Sequence, residues 1–240
     1  MYIFIILLGI IIGSFLNILV FPPSRCIHCS HPFLWYDKIP IVNYLSLRGK
    51  CRYCGEAISP QYPIVEILNG ALYLFVFQHF GFSLGSIFYG FIASILIVIC
   101  VIDYYSQIIP DGLVLMMLIA AIMYKTAAYM VYGVPLLLKD GLLGLLSGGL
   151  LLLAIAVISK GAMGGGDIKL IAVLGLILGL KLTILNILLS FVIGAVVSLY
   201  LLLSGQKGRK DVIPFGPFIS IAFLITLFYG DIIINWYFRV

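Results

Sequence analysis

The chain is short of charge. Of its 240 residues only nine are acidic and fourteen are Lys or Arg. Charged residues make up 10% of the total and hydrophobic residues 63%, whereas a water-soluble domain carries about a quarter charged residues. A soluble core is therefore excluded, and the chain reads as a polytopic membrane protein. Histidine is scarce too, at three residues, and no His-Glu-x-x-His is present, which excludes the common zinc-protease motif. Ser14 has no histidine base in any span, because His79 is expected at the opposite membrane face. No Gly-x-Gly-x-x-Gly follows a strand, so no dinucleotide fold can be placed. Residues 1–12 lack a basic residue, so the first apolar run is expected to span the bilayer and not to be removed. The net charge of +5 is read as membrane topology and not as nucleic-acid affinity.

What is present is a series of apolar runs divided by charges and by Gly/Pro clusters. They predict an all-α protein of about eight transmembrane helices, over 2–21, 64–80, 84–103, 113–132, 136–159, 168–181, 182–203 and 216–236. The sixth is short, which calls for tilt or for a start displaced toward the preceding glycines. With the N-terminus outside, loops 22–63, 104–112, 160–167 and 204–215 face the cytoplasm. Ten of the fourteen Lys and Arg residues then lie inside and four (Lys125, Lys139, Lys181, Arg239) outside, in the sense of the positive-inside rule. The same topology places Asp103, Asp111 and Asp167 on the cytoplasmic side. Within Gly13-Ser14-Phe15-Leu16-Asn17 of the first run, the small and polar residues suit helix packing.

Residues 22–63 form the one sizeable polar segment. They hold Cys26-x-x-Cys29 and Cys51-x-x-Cys54, with four of the five cysteines in one 29-residue stretch. Two such knuckles can close four thiolates on one Zn²⁺. Disulfides are the competing reading, and a reducing cytoplasmic loop disfavours them. His28 and His31 are spectators if all four cysteines ligate. So short a loop has little core of its own, and the metal would supply its stability. The expected organisation is a first helix (1–21), a cytoplasmic zinc-binding loop domain (22–63) and a seven-helix membrane domain (64–240). Cys100, in an apolar run, reads as a small hydrophobe in a helix interface.

Two aspartates stand out against this poverty of acids. Asp103 ends the run from Ile92, and Asp167 follows Gly164-Gly165-Gly166. A charge at mid-bilayer costs about 2.5–3.5 kcal/mol on insertion scales, so each carboxylate at a span edge calls for a use. Two adjacent carboxylates share a proton, since both cannot easily ionise. The ionised member can then deprotonate water while the neutral one protonates a scissile carbonyl. Glycines beside Asp167 allow close approach of backbone and substrate. The residues leave other readings open. Asp111 and Asp167 can each cap a helix, with Lys169 neutralising Asp167, or the acids can line an ion pathway. Chemistry alone does not choose between Asp103 and Asp111 as the partner of Asp167. Glu66 reads as a structural partner for a nearby base.

In order along the chain, these residues resemble the type IV prepilin peptidases, bifunctional leader peptidases and N-methyltransferases of the Gly-x-Gly-Asp membrane aspartyl protease group. The resemblance rests on Gly13-Ser14-Phe15-Leu16-Asn17, both Cys-x-x-Cys pairs, Ile39-Pro40 to Tyr44-Leu45, Arg48-Gly49-Lys50-Cys51, Tyr62-Pro63 with Glu66, Ile102-Asp103 with Ile109-Pro110-Asp111, Met163 to Leu170, and Pro214-Phe215-Gly216-Pro217-Phe218. It implies Asp103 and Asp167 as the catalytic pair, with Asp111, Gly164, Gly166, Lys169 and Glu66 accessory. It also implies prepilin or pseudopilin substrates, cut after a glycine at the cytoplasmic face of the bacterial inner membrane. The new N-terminus would be methylated from S-adenosylmethionine, with Gly49 and Lys50 linked to that step. The link from the first span to Cys26 is shorter than in some members.

Two readings of other classes compete: a cation- or proton-coupled transporter using the same aspartates, and a non-enzymatic pilus or secretion assembly factor docking through the zinc loop. The topology has its own test. A reporter fused after Gly208 is expected to behave as cytoplasmic, and an external signal there would undo the eight-span count.

Overall fold

In a computed structural model the structure describes residues 1–20, 29, 44, 46–133, 136–159, 163–208 and 211–238. Among these the chain forms eight helices: α1 (Tyr2–Val20), α2 (Gln61–Phe80), α3 (Leu84–Ser106), α4 (Asp111–Tyr132), α5 (Leu136–Ile158), α6 (Gly165–Leu178), α7 (Leu180–Leu203) and α8 (Gly216–Phe238). Six of them, α2 to α5 with α7 and α8, are long and apolar enough to cross a membrane. The protein is thus an all-helical polytopic membrane protein, as composition requires. Backbone groups in lipid must bond within their own segment, and a helix satisfies them.

Helix ends differ from the sequence expectation where local chemistry extends a turn. α2 starts at Gln61, three residues before the expected start, because Pro63 falls in the first turn, where its missing N–H has no intrahelical partner to lose. α3 runs one turn past Asp103 to Ser106. There Ser106 Oγ donates to the Ile102 carbonyl at 2.7 Å, and Gln107 closes the helix in a left-handed conformation (φ 53–55° being shared only with Arg48 among described non-glycine residues) with its N–H on the Asp103 carbonyl at 2.9 Å. Asp103 is therefore inside a helix and not at its end. α6 begins at Gly165, displaced toward the glycines as its shortness demands, and has 14 residues. At 1.5 Å per residue it is about 21 Å long, less than the ~30 Å hydrocarbon core. Half of its residues, including Leu170, Ile171 and Leu174, are buried, so protein and not lipid surrounds much of it.

The chain divides into two compact units, Met1–Val98 and Ile99–Val240. In the first, α1 packs on α2 through small residues. A Cβ on Gly9 would lie 2.8 Å from Gly70 Cα, and one on Gly13 2.8 Å from Glu66 Cα, so only glycine permits this approach. Asn17 adds a bond from Nδ2 to the Tyr62 carbonyl at 3.0 Å, which gives the Gly13–Asn17 stripe the packing role expected of it. Asn69 is fully buried, donates to the Gly9 carbonyl at 2.7 Å and accepts from Ser94 Oγ at 2.9 Å. That one amide joins α1, α2 and α3, and stranding its partners would cost about 1–3 kcal/mol each.

In the second unit α5 and α6 meet backbone to backbone at Gly144 and Gly175, where neither position has room for a Cβ. Beside this crossing Asp140 Oδ1 accepts the Leu180 N–H at 3.1 Å. Lys125, counted from sequence among the external residues, is buried in α4 within the field of Asp140. A buried cation is tolerated only with such a partner.

Candidate active site

The end of α3, the turn that follows it and the start of α6 enclose a cavity of about 410 Å³. It is lined by Asp103 from the last turn of α3, by Gln107, Ile108, Ile109 and Pro110 from the turn that follows, by Asp111 at the start of α4, and by Gly164, Gly165, Gly166 and Asp167. All belong to the second unit. Two acids from segments 64 positions apart thus share one space with a third, and a chain with nine acids in total concentrates three of them here.

The two aspartates are held in similar ways. Asp103 is 5% exposed, and its Oδ2 accepts the Gly216 backbone N–H at 2.8 Å. Asp167 is half-buried and is the third residue of α6, whose N-cap is Gly164. The Gly164 backbone lies beside the Asp167 carboxylate, close enough that a Cβ there would be 3.1 Å from Oδ2. Gly166 must lack a side chain, since a Cβ there would lie 2.9 Å from Ile109 Cβ. That contact seats the mouth of α6 on the Ile109-Pro110 turn.

Asp111 is different. It is the first residue of α4, behind Pro110 as N-cap, and makes no capping bond. Lys169 Nζ reaches its Oδ1 at 2.7 Å, with side chains 57% and 72% exposed. Lys169 is thus the partner of Asp111 and not of Asp167. An exposed pair of this kind contributes about 0–1 kcal/mol, and it leaves Asp111 already neutralised. Of the two acids that the sequence offers as partners, Asp103 is the buried one, and its charge acts on Asp167. Glu66 stands in the first unit, 6% exposed and packed against Gly13.

Asp167 lies at the mouth of α6, outside the six long spans. Burial, and after it the negative charge of Asp103, push its carboxyl up to about 6, against the opposing Gly164 N–H. The group keeps a proton that an ordinary carboxylate has lost, as like charges in one site require. Because burial is the larger cause, Asp103→Asn should lower the Asp167 midpoint while leaving it above the ordinary carboxylate range. Carbon-13 NMR of labelled aspartate is the measurement; an unmoved midpoint would mean that the two groups do not sense each other.

The cysteine region belongs to the first unit. Cys26, His28 and His31 lie outside the described residues. The Sγ atoms of Cys29, Cys51 and Cys54 all fall within 4.8 Å of one another, with Cys29 and Cys51 4.0 Å apart, and none is in a disulfide. Four sulfurs at about 2.3 Å from one Zn²⁺ would be about 3.8 Å apart, so the spacing fits a metal and not a 2.05 Å sulfur–sulfur bond. A tight turn makes the knuckle: the Cys51 N–H donates to the Glu56 carbonyl at 2.7 Å and the Gly55 N–H to the Cys51 carbonyl at 2.9 Å. Gly49 has φ +69°, with the Tyr44 ring where a Cβ would be. Its glycine is required by this turn, whatever else Gly49-Lys50 does.

Sequence reasoning did not find the Gly216 donor or the Gln107 lining. Pro214-Phe215-Gly216-Pro217 pointed to the region, but a backbone N–H has no signature in residue type.

Comparison with known proteins places the chain. The family model for the bacterial peptidase A24 N-terminal domain matches residues 7–80, and that for the type IV leader peptidase family matches residues 90–199. A prepilin leader peptidase/N-methyltransferase of Bacillus subtilis is 34% identical over 96% of this chain and 95% of its own length. One from Stutzerimonas stutzeri is 33% identical over 94% and 90%, and one from Legionella pneumophila 36% over 91% and 76%. No solved structure matches. With relatives this similar over three quarters or more of their length, the chain belongs to the type IV leader peptidase family.

Proposed function

We propose that this protein cleaves the basic leader from prepilins or pseudopilins and methylates the new N-terminus. The relatives named for both activities support this reading. The observation that carries the chemistry is the shared cavity of Asp103 and Asp167. Neither the transporter nor the assembly-factor reading has a counterpart among those relatives.

A prepilin leader is basic and cytoplasmic and is followed by an apolar helix in the bilayer. Its scissile bond, after a glycine, lies at the interface where the topology puts both acids, on the cytoplasmic side of the bacterial inner membrane. Local negative charge attracts the leader, and Lys169 offsets part of it at Asp111. In the reaction Asp103, oriented by the Gly216 N–H, takes a proton from water as the oxygen attacks the scissile carbonyl. Asp167, which retains its proton to higher pH, gives it to the carbonyl oxygen. Collapse of the tetrahedral species returns a proton to the leaving amine and breaks the C–N bond. Gly164 and Gly166 leave room for the substrate backbone, Asp111 and Lys169 hold the cavity rim, and Glu66 stays accessory.

Mass spectrometry of a prepilin incubated with the protein, with and without S-adenosylmethionine, reads both activities. Loss of the leader is expected in each case and the added methyl mass only with the donor. Asp103→Asn and Asp167→Asn should each reduce cleavage by about a thousandfold, within the range of acid–base contributions; leader release that persists in either variant would remove that residue from the pair.

Cys26, Cys29, Cys51 and Cys54 would hold one Zn²⁺, which fixes the loop and takes no part in hydrolysis. Gly49 and Lys50 then serve methylation from a loop the metal shapes. Metal analysis is expected to give one zinc per chain, lost in Cys26→Ser or Cys54→Ser; a metal-free wild-type protein, or oxidised pairs in a cytosol-like redox buffer, would refute this.

A further inference from the structure

Three contacts join the last two turns of α3 to the segment that leads into α8, and they share one register. Gln107 Nε2 faces the Val212 carbonyl at 3.4 Å. Asp103 Oδ2 accepts the Gly216 N–H at 2.8 Å. Cys100 and Ser220 are hydrogen-bonded through their side chains. As the α3 position steps back from 107 to 103 to 100, the partner steps forward from 212 to 216 to 220. That is the pattern of two antiparallel segments, and all six residues lie in the second unit.

The middle contact differs from the outer two because it ends on a carboxylate of the cavity. Gly216 is the first residue of α8, so its N–H is one of the orphan donors of a helix start and lies at the positive end of the helix dipole. Pro217 follows without an N–H of its own, and Pro214 stiffens the approach. Ser220 Oγ donates to the Gly216 carbonyl at 2.9 Å, which fixes the same residue from its carbonyl side. A Cβ at 216 would lie 2.7 Å from Asp103 Oδ2, so the donor reaches the acid only because residue 216 has no side chain.

We infer that Gly216 is a positioning residue for leader cleavage: its backbone N–H occupies Asp103 Oδ2, so that Oδ1 is the oxygen turned to water. A carboxylate free to rotate would present either oxygen, and a misplaced base loses rate even when substrate binds normally. This inference rests on the aspartate mechanism proposed above. It adds a residue that acts through Asp103 and touches no substrate atom.

The test separates the two ideas. Replacing the Gly216 backbone amide by an ester in the full-length protein removes the donor and adds no atom. Gly216→Ala keeps the donor but crowds Oδ2. Steady-state cleavage of a prepilin peptide is measured for both, beside Asp103→Asn as reference. The expected result is a fall in kcat of at least about tenfold for the ester and about a hundredfold for Gly216→Ala, with KM within about threefold of wild type. Such a split places the loss in the reacting state and not in substrate binding, which a merely structural role would not produce. Wild-type kcat in the ester protein, or a loss carried by KM alone, would overturn the positioning role. If Asp103→Asn itself still cleaves, it is the aspartate mechanism that fails.

Discussion

Two carboxylates of like sign confined to one partly buried cavity are the constraint on which this structure turns. They repel when both are ionised, and burial makes that state costlier still. Among the described residues no cation is paired with either acid: Lys169, the nearest described lysine in sequence, is committed to Asp111 at 2.7 Å. Backbone N–H groups lie beside the acids instead: Gly216 donates to Asp103, and Gly164 stands next to Asp167. Neutral dipoles of this kind orient an acid while leaving its proton exchangeable, whereas a lysine at bonding distance would hold it ionised.

The architecture follows from supplying those dipoles at one cavity. Helix starts expose free N–H groups, and both donors come from helix starts, α8 and α6. Bringing α6 in among its neighbours requires the Gly144–Gly175 crossing and the seat of Gly166 on Ile109. Its 14 residues suffice because its surroundings are largely protein. In the proposed reaction the carboxylates work where water and lipid meet, a place at which a basic leader and an apolar helix can both be accommodated.

Much of this was legible in the sequence because charge is so rare. In a chain with nine acids, Asp103 and Asp167 at the ends of apolar runs are conspicuous, and positive-inside counting puts them on one side. The paired Cys-x-x-Cys spacing announced a thiolate cluster, and three of its sulfurs do converge. The shortness of α6 was evident from its apolar run, but the span expected there runs to residue 181, past Gly179, where the helix ends. What stayed hidden has a common cause. The Gly216 donor, the Asn69 bonds among three helices, and the choice of Asp111 over Asp167 by Lys169 depend on which residues become neighbours in space. A backbone N–H is the same in every residue but proline, and a lysine two residues from one acid can reach another 58 positions away. The burial of Lys125 was missed for the same reason, since its distance from a membrane surface cannot be judged without its Asp140 neighbour.

The central claim is that Asp103 and Asp167 meet in one cavity of the folded protein in its membrane. The most direct measurement is thiol cross-linking in the intact bilayer of a chain carrying Asp103→Cys and Asp167→Cys, with Cys100→Ala to remove the adjacent thiol. The account predicts rapid joining of the two introduced thiols by the shortest bifunctional reagents, and none when either substitution is present alone. Labelling of the two positions from opposite sides of the membrane, with no cross-link at any reagent length, would contradict it.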